Sequence, residues 1–261
     1  MKHHEIIRPV GLNTPCEEIE RTCSHAQMYR QCGLHPDHLI LPLDAGSGRT
    51  TFLEYMTDRY KEAGVMPFIS GPDDYLEIQF DGTLPQLRQA FAEIDAAAVY
   101  TNAYGNLVSM DISALAQHLG ETQGVEFLKN IKMVCEHACV IFFVHAEPTR
   151  GEEKLLEKLC DSVDHIKRLT VEPYTRDDLC KLVIRSVEDF GIEIRQEDRF
   201  RRDLAKLPPE FPIDTVRDAL TCAESIARFA DYTKFVPVVD PNSLVSMLNE
   251  WNDEQKRSEM R

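Results

Sequence analysis

The sequence predicts an α/β core followed by a small helical domain, and three observations carry that prediction. Short apolar runs alternate with longer amphipathic segments from residue 38 to residue 190. A glycine-bearing loop, Asp44 to Thr51, joins one apolar run to a helical pattern. After residue 191 the strand signals nearly vanish, and 197–206, 213–231 and 241–252 read as helices. Strands that alternate with helices build a parallel sheet covered on both faces. The α/β core is therefore assigned to residues 1–172 and the helical domain to 173–261.

The elements follow in order. Residues 15–31 read as one helix, opened by Thr14-Pro15 with Glu17 and Glu18 in the first turn and closed before Gly33. His38 to Leu43 is a short apolar strand, and Thr50 to Ala63 is a helix stopped by Gly64. Val65 to Ser70 is a second apolar run, and Leu76 to Phe80 alternates as a strand or hairpin arm. Pro85 to Tyr100 reads as a helix, Asn106 to Asp111 as a strand ending in a carboxylate. Ser113 to Glu136 is helical, with an interruption near Gly120 or Gly124. Cys139 to His145 is the clearest strand, a continuous apolar run of the kind found in buried parallel sheets. A helix over 152–163 and a fifth strand over 166–171 complete the core. Tyr174 to Asp178 then caps a helix that runs to Phe190 and ends at Gly191.

Composition narrows the function classes. With 261 residues, 43% hydrophobic and 28% charged, the chain is long enough and apolar enough to bury a core. A formal net charge of -15 argues against a broad nucleic-acid-binding face, since phosphate contacts depend on Lys and Arg, although a local basic patch would be compatible with it. DNA as a partner is thus not supported by net charge. No apolar run reaches the roughly 18–20 residues of a membrane span, and the start Met1 to Glu5 has no signal-peptide core. The expectation is a cytoplasmic protein with no membrane partner. The eight cysteines include no CxxC pair. Cys135-Glu136-His137-Ala138-Cys139 carries metal-ligand residue types but has no second cluster nearby, so the cysteines read as reduced thiols.

The loop Leu43-Asp44-Ala45-Gly46-Ser47-Gly48-Arg49-Thr50-Thr51 carries the chemistry. A phosphate needs converging backbone N–H donors, a helix N-terminus and a cation. Gly46 and Gly48 let the backbone wrap an anion, the following helix points its positive end at it, and Arg49 supplies charge. Thr50 stands where the P-loop pattern G-x-x-x-x-G-K-[ST] places a Mg²⁺-binding hydroxyl. The sequence departs from that pattern at Leu43, in place of the first Gly, and at Arg49, in place of Lys. Asp111, ending its strand, is the candidate to hold Mg²⁺ through water; alternatively, an Asp there can cap the helix that starts at Ser113. Ile112 follows it, where hydrolytic sites commonly place a Glu that positions water, so local catalytic provision is incomplete.

Taken together, these parts resemble the AAA+ class of P-loop ATPases over approximately residues 6–235. Arg8-Pro9-Val10-Gly11 is similar to the stretch that packs on adenine in that class, LPLDAGSGRTT looks like a degenerate Walker A and LVSMDI like a degenerate Walker B. His145 takes the sensor 1 position; alternatively, it is a strand-end histidine with no ligand. IKRLTVEPYTRDDLCKLVIRSVEDFGIEI resembles the passage from the last core strand into a helical lid, where Arg217 matches the sensor 2 arginine; alternatively, Arg217 pairs with Asp214 on its own helix. The resemblance implies a three-layer P-loop sandwich with a five-stranded parallel sheet of order 5-1-4-3-2 and a C-terminal helical lid. It also implies ATP or GTP with Mg²⁺ as cofactor. Asp111, His145 and Arg217 take catalytic roles, residues 44–51 with Pro9 and Val10 bind nucleotide, and Thr50 and Asp111 hold metal. The stretch Leu159 to Asp164 offers no arginine finger.

Three functions compete on this reading. The first is a nucleotide-gated assembly or loading factor with weak Mg²⁺-dependent hydrolysis, acting as a homo-oligomer or on a protein client. The second is an inactive nucleotide-binding scaffold or adaptor. A P-loop small-molecule kinase ranks third, because its mobile lid would be inserted in the core rather than placed C-terminally. Trp251, the only tryptophan, reads as a helix-packing residue.

Overall fold

The computed structural model describes residues 6, 8–32, 36–65, 76–78, 85, 88–96, 107–118, 121–208, 211 and 213–259. The chain divides into two compact units, Met1–Glu172 and Pro173–Arg261.

The first unit is built on a five-stranded parallel sheet. Its strands are β1 (His38–Pro42), β2 (Leu76–Ile78), β3 (Leu107–Asp111), β4 (Cys139–Val144) and β5 (Ile166–Arg168). They lie in the order β2-β3-β4-β1-β5, which is the expected 5-1-4-3-2 read from the other edge. The central strands β1 and β4 pair Leu39 with Ile141 through Pro42 with Val144. Both are buried on both faces, which is why CVIFFV has no polar alternation.

Successive side chains point to opposite faces, and this sorts the core into two clusters. Ile40, Val108, Met110, Val140, Phe142 and Val144 share one cluster with Phe127 and Ile131 of helix α5 (Glu121–Cys135) and Leu155 and Leu159 of α6 (Arg150–Ser162). Leu39, Leu41, Ile141 and Phe143 share the other with Ile19 of α1 (Asn13–Ser24) and Phe52 and Met56 of α3 (Arg49–Ala63). The outcome is three layers, with helices on both sheet faces.

Several elements differ from expectation for local reasons. The first helix is two, α1 and α2 (Ala26–Cys32). Ser24 Oγ donates to the Arg21 carbonyl at 2.6 Å, and His25 Nδ1 lies 2.8 Å from the same oxygen. Polar side chains that take a helix carbonyl in this way weaken and bend the helix. Because α1 begins at Asn13, Glu17 and Glu18 fall beyond its first turn. Gly124 lies inside α5 and does not interrupt it, while α4 (Ser113–His118) precedes it; residue 120 lies outside the described residues. The fifth strand ends at Arg168 rather than at 171. The runs expected at 66–70 and 79–80 lie outside the described residues, and of the helix expected over 85–100, residues 85 and 88–96 are helical.

The second unit holds α7 (Arg176–Asp189), α8 (Glu197–Ala205), α9 (Val216–Ala227) and α10 (Pro241–Glu259) around Leu179, Val183, Phe200, Leu204, Ile226 and Leu244. It also holds two strands that the sequence did not announce, β6 (Glu193–Ile194) and β7 (Val238–Val239), paired in parallel. Trp251 packs edge-on against Phe211 at 5.3 Å between ring centroids, as a packing residue should.

Candidate functional site

The parallel sheet brings the carboxyl ends of β3, β4 and β1 side by side, the edge where open α/β folds bind ligands. Asp111 ends β3, His145 follows β4, and the loop from Leu43 follows β1. Two residues and a loop far apart in sequence therefore converge by topology. Pro9 is buried and Val10 half-buried; they precede Leu12, which shares the apolar cluster of Leu43 and Phe52.

The loop is shaped by its glycines. Gly46 has φ 81° and Gly48 φ 91°, both left-handed conformations that side chains with a Cβ resist. A Cβ on Gly46 would meet nothing within 4 Å, so its requirement is backbone conformation rather than space. Ser47 N–H donates to Asp44 O at 3.1 Å, closing the turn. Asp44, Ala45, Gly46 and Thr50 are exposed. The Asp44 carboxylate accepts from the Ala146 N–H at 3.2 Å and ties the loop to the end of β4. Gly48 is the N-cap of α3 and provides no side-chain acceptor for the first-turn amides. Those amides point toward the loop with the helix's partial positive charge.

Arg49 is held on three sides. Its Nε donates to the Leu43 carbonyl at 2.6 Å, its Nη1 pairs with Asp111 Oδ2, and its guanidinium carbon lies 4.9 Å from the Phe143 ring centroid. Only 14% of the Arg49 side chain is exposed. The second Asp111 oxygen, Oδ1, accepts from the Ser113 N–H at 2.9 Å, so Asp111 caps α4 while it pairs with Arg49. Leu43, in the place of a glycine, is buried among the core residues, and its amide donates to the Val144 carbonyl at 2.9 Å.

His145 is positioned by a residue that the sequence reading did not single out. Its Nδ1 lies 2.9 Å from Glu152 Oε1, and its backbone N–H donates to the same oxygen at 3.1 Å. Glu152 Oε2 accepts from the Thr149 N–H at 2.8 Å, and Thr149 Oγ1 accepts in return from the Glu152 N–H. This is a capping box that also serves the end of β4. Burial pushes the fully buried Glu152 carboxyl up. The hydrogen bonds from Thr149 and His145 outweigh it and bring the pKa from 4.5 down to about 2. The signal was present as Thr149-x-x-Glu152 ahead of an amphipathic run.

Arg217 lies exposed in the first turn of α9, in the second unit. Asp214 precedes α9, and its carboxylate approaches Arg176 at 3.8 Å. Among the described residues no cluster of His, Cys, Asp and Glu could hold a metal. Cys135 and Cys139 are buried, and burial raises both thiols well above their ordinary range.

Direct ligation of the implied Mg²⁺ by Asp111 does not fit these residues as they stand. Mg²⁺ requires near-octahedral oxygen ligands at about 2.0–2.1 Å. One Asp111 oxygen is bound to a guanidinium and the other to a backbone N–H. A cation at Asp111 would have to displace Arg49.

No protein-family model and no curated protein sequence matches the chain. Solved structures do. The chain is similar to the Thermotoga maritima RuvB Holliday junction branch migration motor, with TM-score 0.55 and 14% identity, over 94% of this chain and 73% of that one. It is similar to domain III of the Thermotoga maritima replication initiation protein DnaA, with TM-score 0.55 and 14% identity, over 94% of both chains. It is also similar to the Aeropyrum pernix ORC2 protein in its ADP form, with TM-score 0.60 and 10% identity, over 95% of this chain and 71% of that one. At these identities the likeness is one of fold alone, a parallel five-stranded α/β sheet with helices on both faces followed by a C-terminal helical region. Among the described residues no helix is long and apolar enough to cross a membrane.

Proposed function

We propose that this chain binds a nucleoside triphosphate, ATP or GTP, on the loop 43–51 and acts as a nucleotide-gated assembly or loading factor. The observation that carries the proposal is the loop itself. Two left-handed glycines and an N-terminus without a side-chain cap stand at the carboxyl end of β1, beside Asp111 and His145. Backbone amides and a helix dipole aimed at one point suit a phosphate. In the same reading Pro9 and Val10 flank the base.

Turnover on this site is weak. Ile112 follows Asp111 where a water-positioning Glu would be expected, and Arg49 is engaged by Asp111 rather than presented alone. The same pair favours the second reading, a nucleotide-binding scaffold with no turnover. Binding and turnover therefore need separate measurement. ATP and GTP are titrated calorimetrically into the wild type and into Gly48→Val, which forces a β-branched residue into φ 91°. Binding by the wild type and a loss of about tenfold or more in the variant are expected. Steady-state phosphate release ranks the two readings, and size-exclusion chromatography with and without nucleotide reports gating of assembly. Failure of the wild type to bind either nucleotide at millimolar concentration overturns the proposal.

A further inference from the structure

The geometry points to a nucleotide site that needs no divalent cation, because the Arg49 guanidinium stands on Asp111 where a metal would bridge carboxylate and phosphate. The inference rests on the nucleotide-binding reading above and specifies how that site is charged.

Three features support it. Arg49 is held by three unlike contacts, a carbonyl, a carboxylate and an aromatic face. Each contact suits a guanidinium, which is planar, carries five donors and stacks on rings, whereas an ammonium is a compact point charge that does none of this as well. Nε and Nη1 account for one donor each toward Leu43 and Asp111, which leaves donors on the same planar head for a phosphate oxygen. A guanidinium shared between Asp111 and a phosphate does the bridging that a metal does, with one positive charge in place of two.

A further consequence concerns the sign of the Asp111 effect. In a metal-bridged site the carboxylate is a ligand, and its loss weakens metal–nucleotide binding. Here the carboxylate neutralises the loop's own cation. Removing its charge frees Arg49 for the phosphates and removes a negative charge from a site meant for anions.

The test uses the full chain and ATP. Dissociation constants are measured by calorimetry with millimolar Mg²⁺ and with EDTA. For the wild type the two values are expected to agree within about threefold. Asp111→Asn is expected to tighten ATP binding in EDTA by about three- to tenfold. Arg49→Lys, with no planar fork to hold Asp111, is expected to make binding strengthen with Mg²⁺ by about tenfold. Wild-type binding that strengthens by about tenfold or more with Mg²⁺ overturns the inference while nucleotide binding stands. Asp111→Asn that weakens ATP binding in EDTA also overturns it. If the wild type binds ATP under neither condition, the nucleotide reading itself falls and takes this inference with it. The wild-type comparison stands even if a variant fails to fold, which circular dichroism reports.

Discussion

Glu152 is the residue whose role most exceeds its sequence context. In the sequence it is one of two acids opening a helix, beside Glu153. In the fold it is fully buried and joins α6 to the end of β4 through Thr149 and His145. A folded pKa of about 2 against an ordinary 4.5 means that its stabilisation is complete above about pH 4.5 and is lost as pH falls toward 2. That difference corresponds to something on the order of 3 kcal/mol at neutral pH. Glu152→Gln places an amide where two backbone N–H groups need acceptors, and it should lower stability at pH 7 by about 2–3 kcal/mol. It should also flatten the fall in melting temperature between pH 5 and pH 2, which thermal melts across that range would show. A variant that melts like the wild type at every pH would exclude this account. The candidate site was legible at this scale only in part. Arg49 and Asp111 were visible as residues, but their pairing depends on β3 and β1 both flanking β4, which no local spacing encodes.

Helix starts were the best-encoded elements. Thr149 with Glu152, Thr175 with Asp178 and Thr215 with Asp218 each form a reciprocal box, in which the threonine hydroxyl accepts from the third residue and that residue's carboxylate accepts in return. Thr175→Ala and Thr215→Ala should each cost about 1 kcal/mol, readable as a shift of the urea midpoint with unchanged slope. If neither shifts the midpoint, the boxes are decorative in the folded chain. Strand ends were poorly encoded by comparison. The apolar pattern continues through Leu169 and Val171, yet pairing stops at Arg168 after Leu169 N–H donates to the Ile40 carbonyl. Apolar character marks burial, and burial outlasts the ladder. Strands as short as β6 and β7 were invisible because two residues cannot display a period of two.

The whole chain is two units with separate apolar clusters, and the division at Glu172 has a consequence for folding. The second unit has its own core, from Leu179 and Val183 to Leu244 and Met247. Residues 173–261 expressed alone should give a helical circular dichroism spectrum and a cooperative melt, since domains with their own core fold as units. A fragment that stays unfolded would show that it depends on the first unit. The fold class was legible at this scale from the alternation of strand and helix signals and their loss after residue 191. The strand order was not, because local patterning says which residues are strands and not which strands are neighbours. That order came from resemblance, and the sheet agrees with it.

The root of the loop 43–51 is anchored while its tip is open, and this contrast can be followed in time by deuterium uptake. The Leu43 amide donates to Val144 and the Ile112 amide to Phe143, both extending the parallel ladder past the strand ends. Those protons should exchange slowly, on the timescale of opening the sheet. Ala45 and Gly46, exposed at the tip, should exchange at nearly the rate of an unstructured peptide. The boundary between slow and fast amides therefore falls within three residues of chain, Leu43 to Ala45. A ligand that settles on the loop would move that boundary toward Gly48, leaving a footprint independent of any chemical turnover.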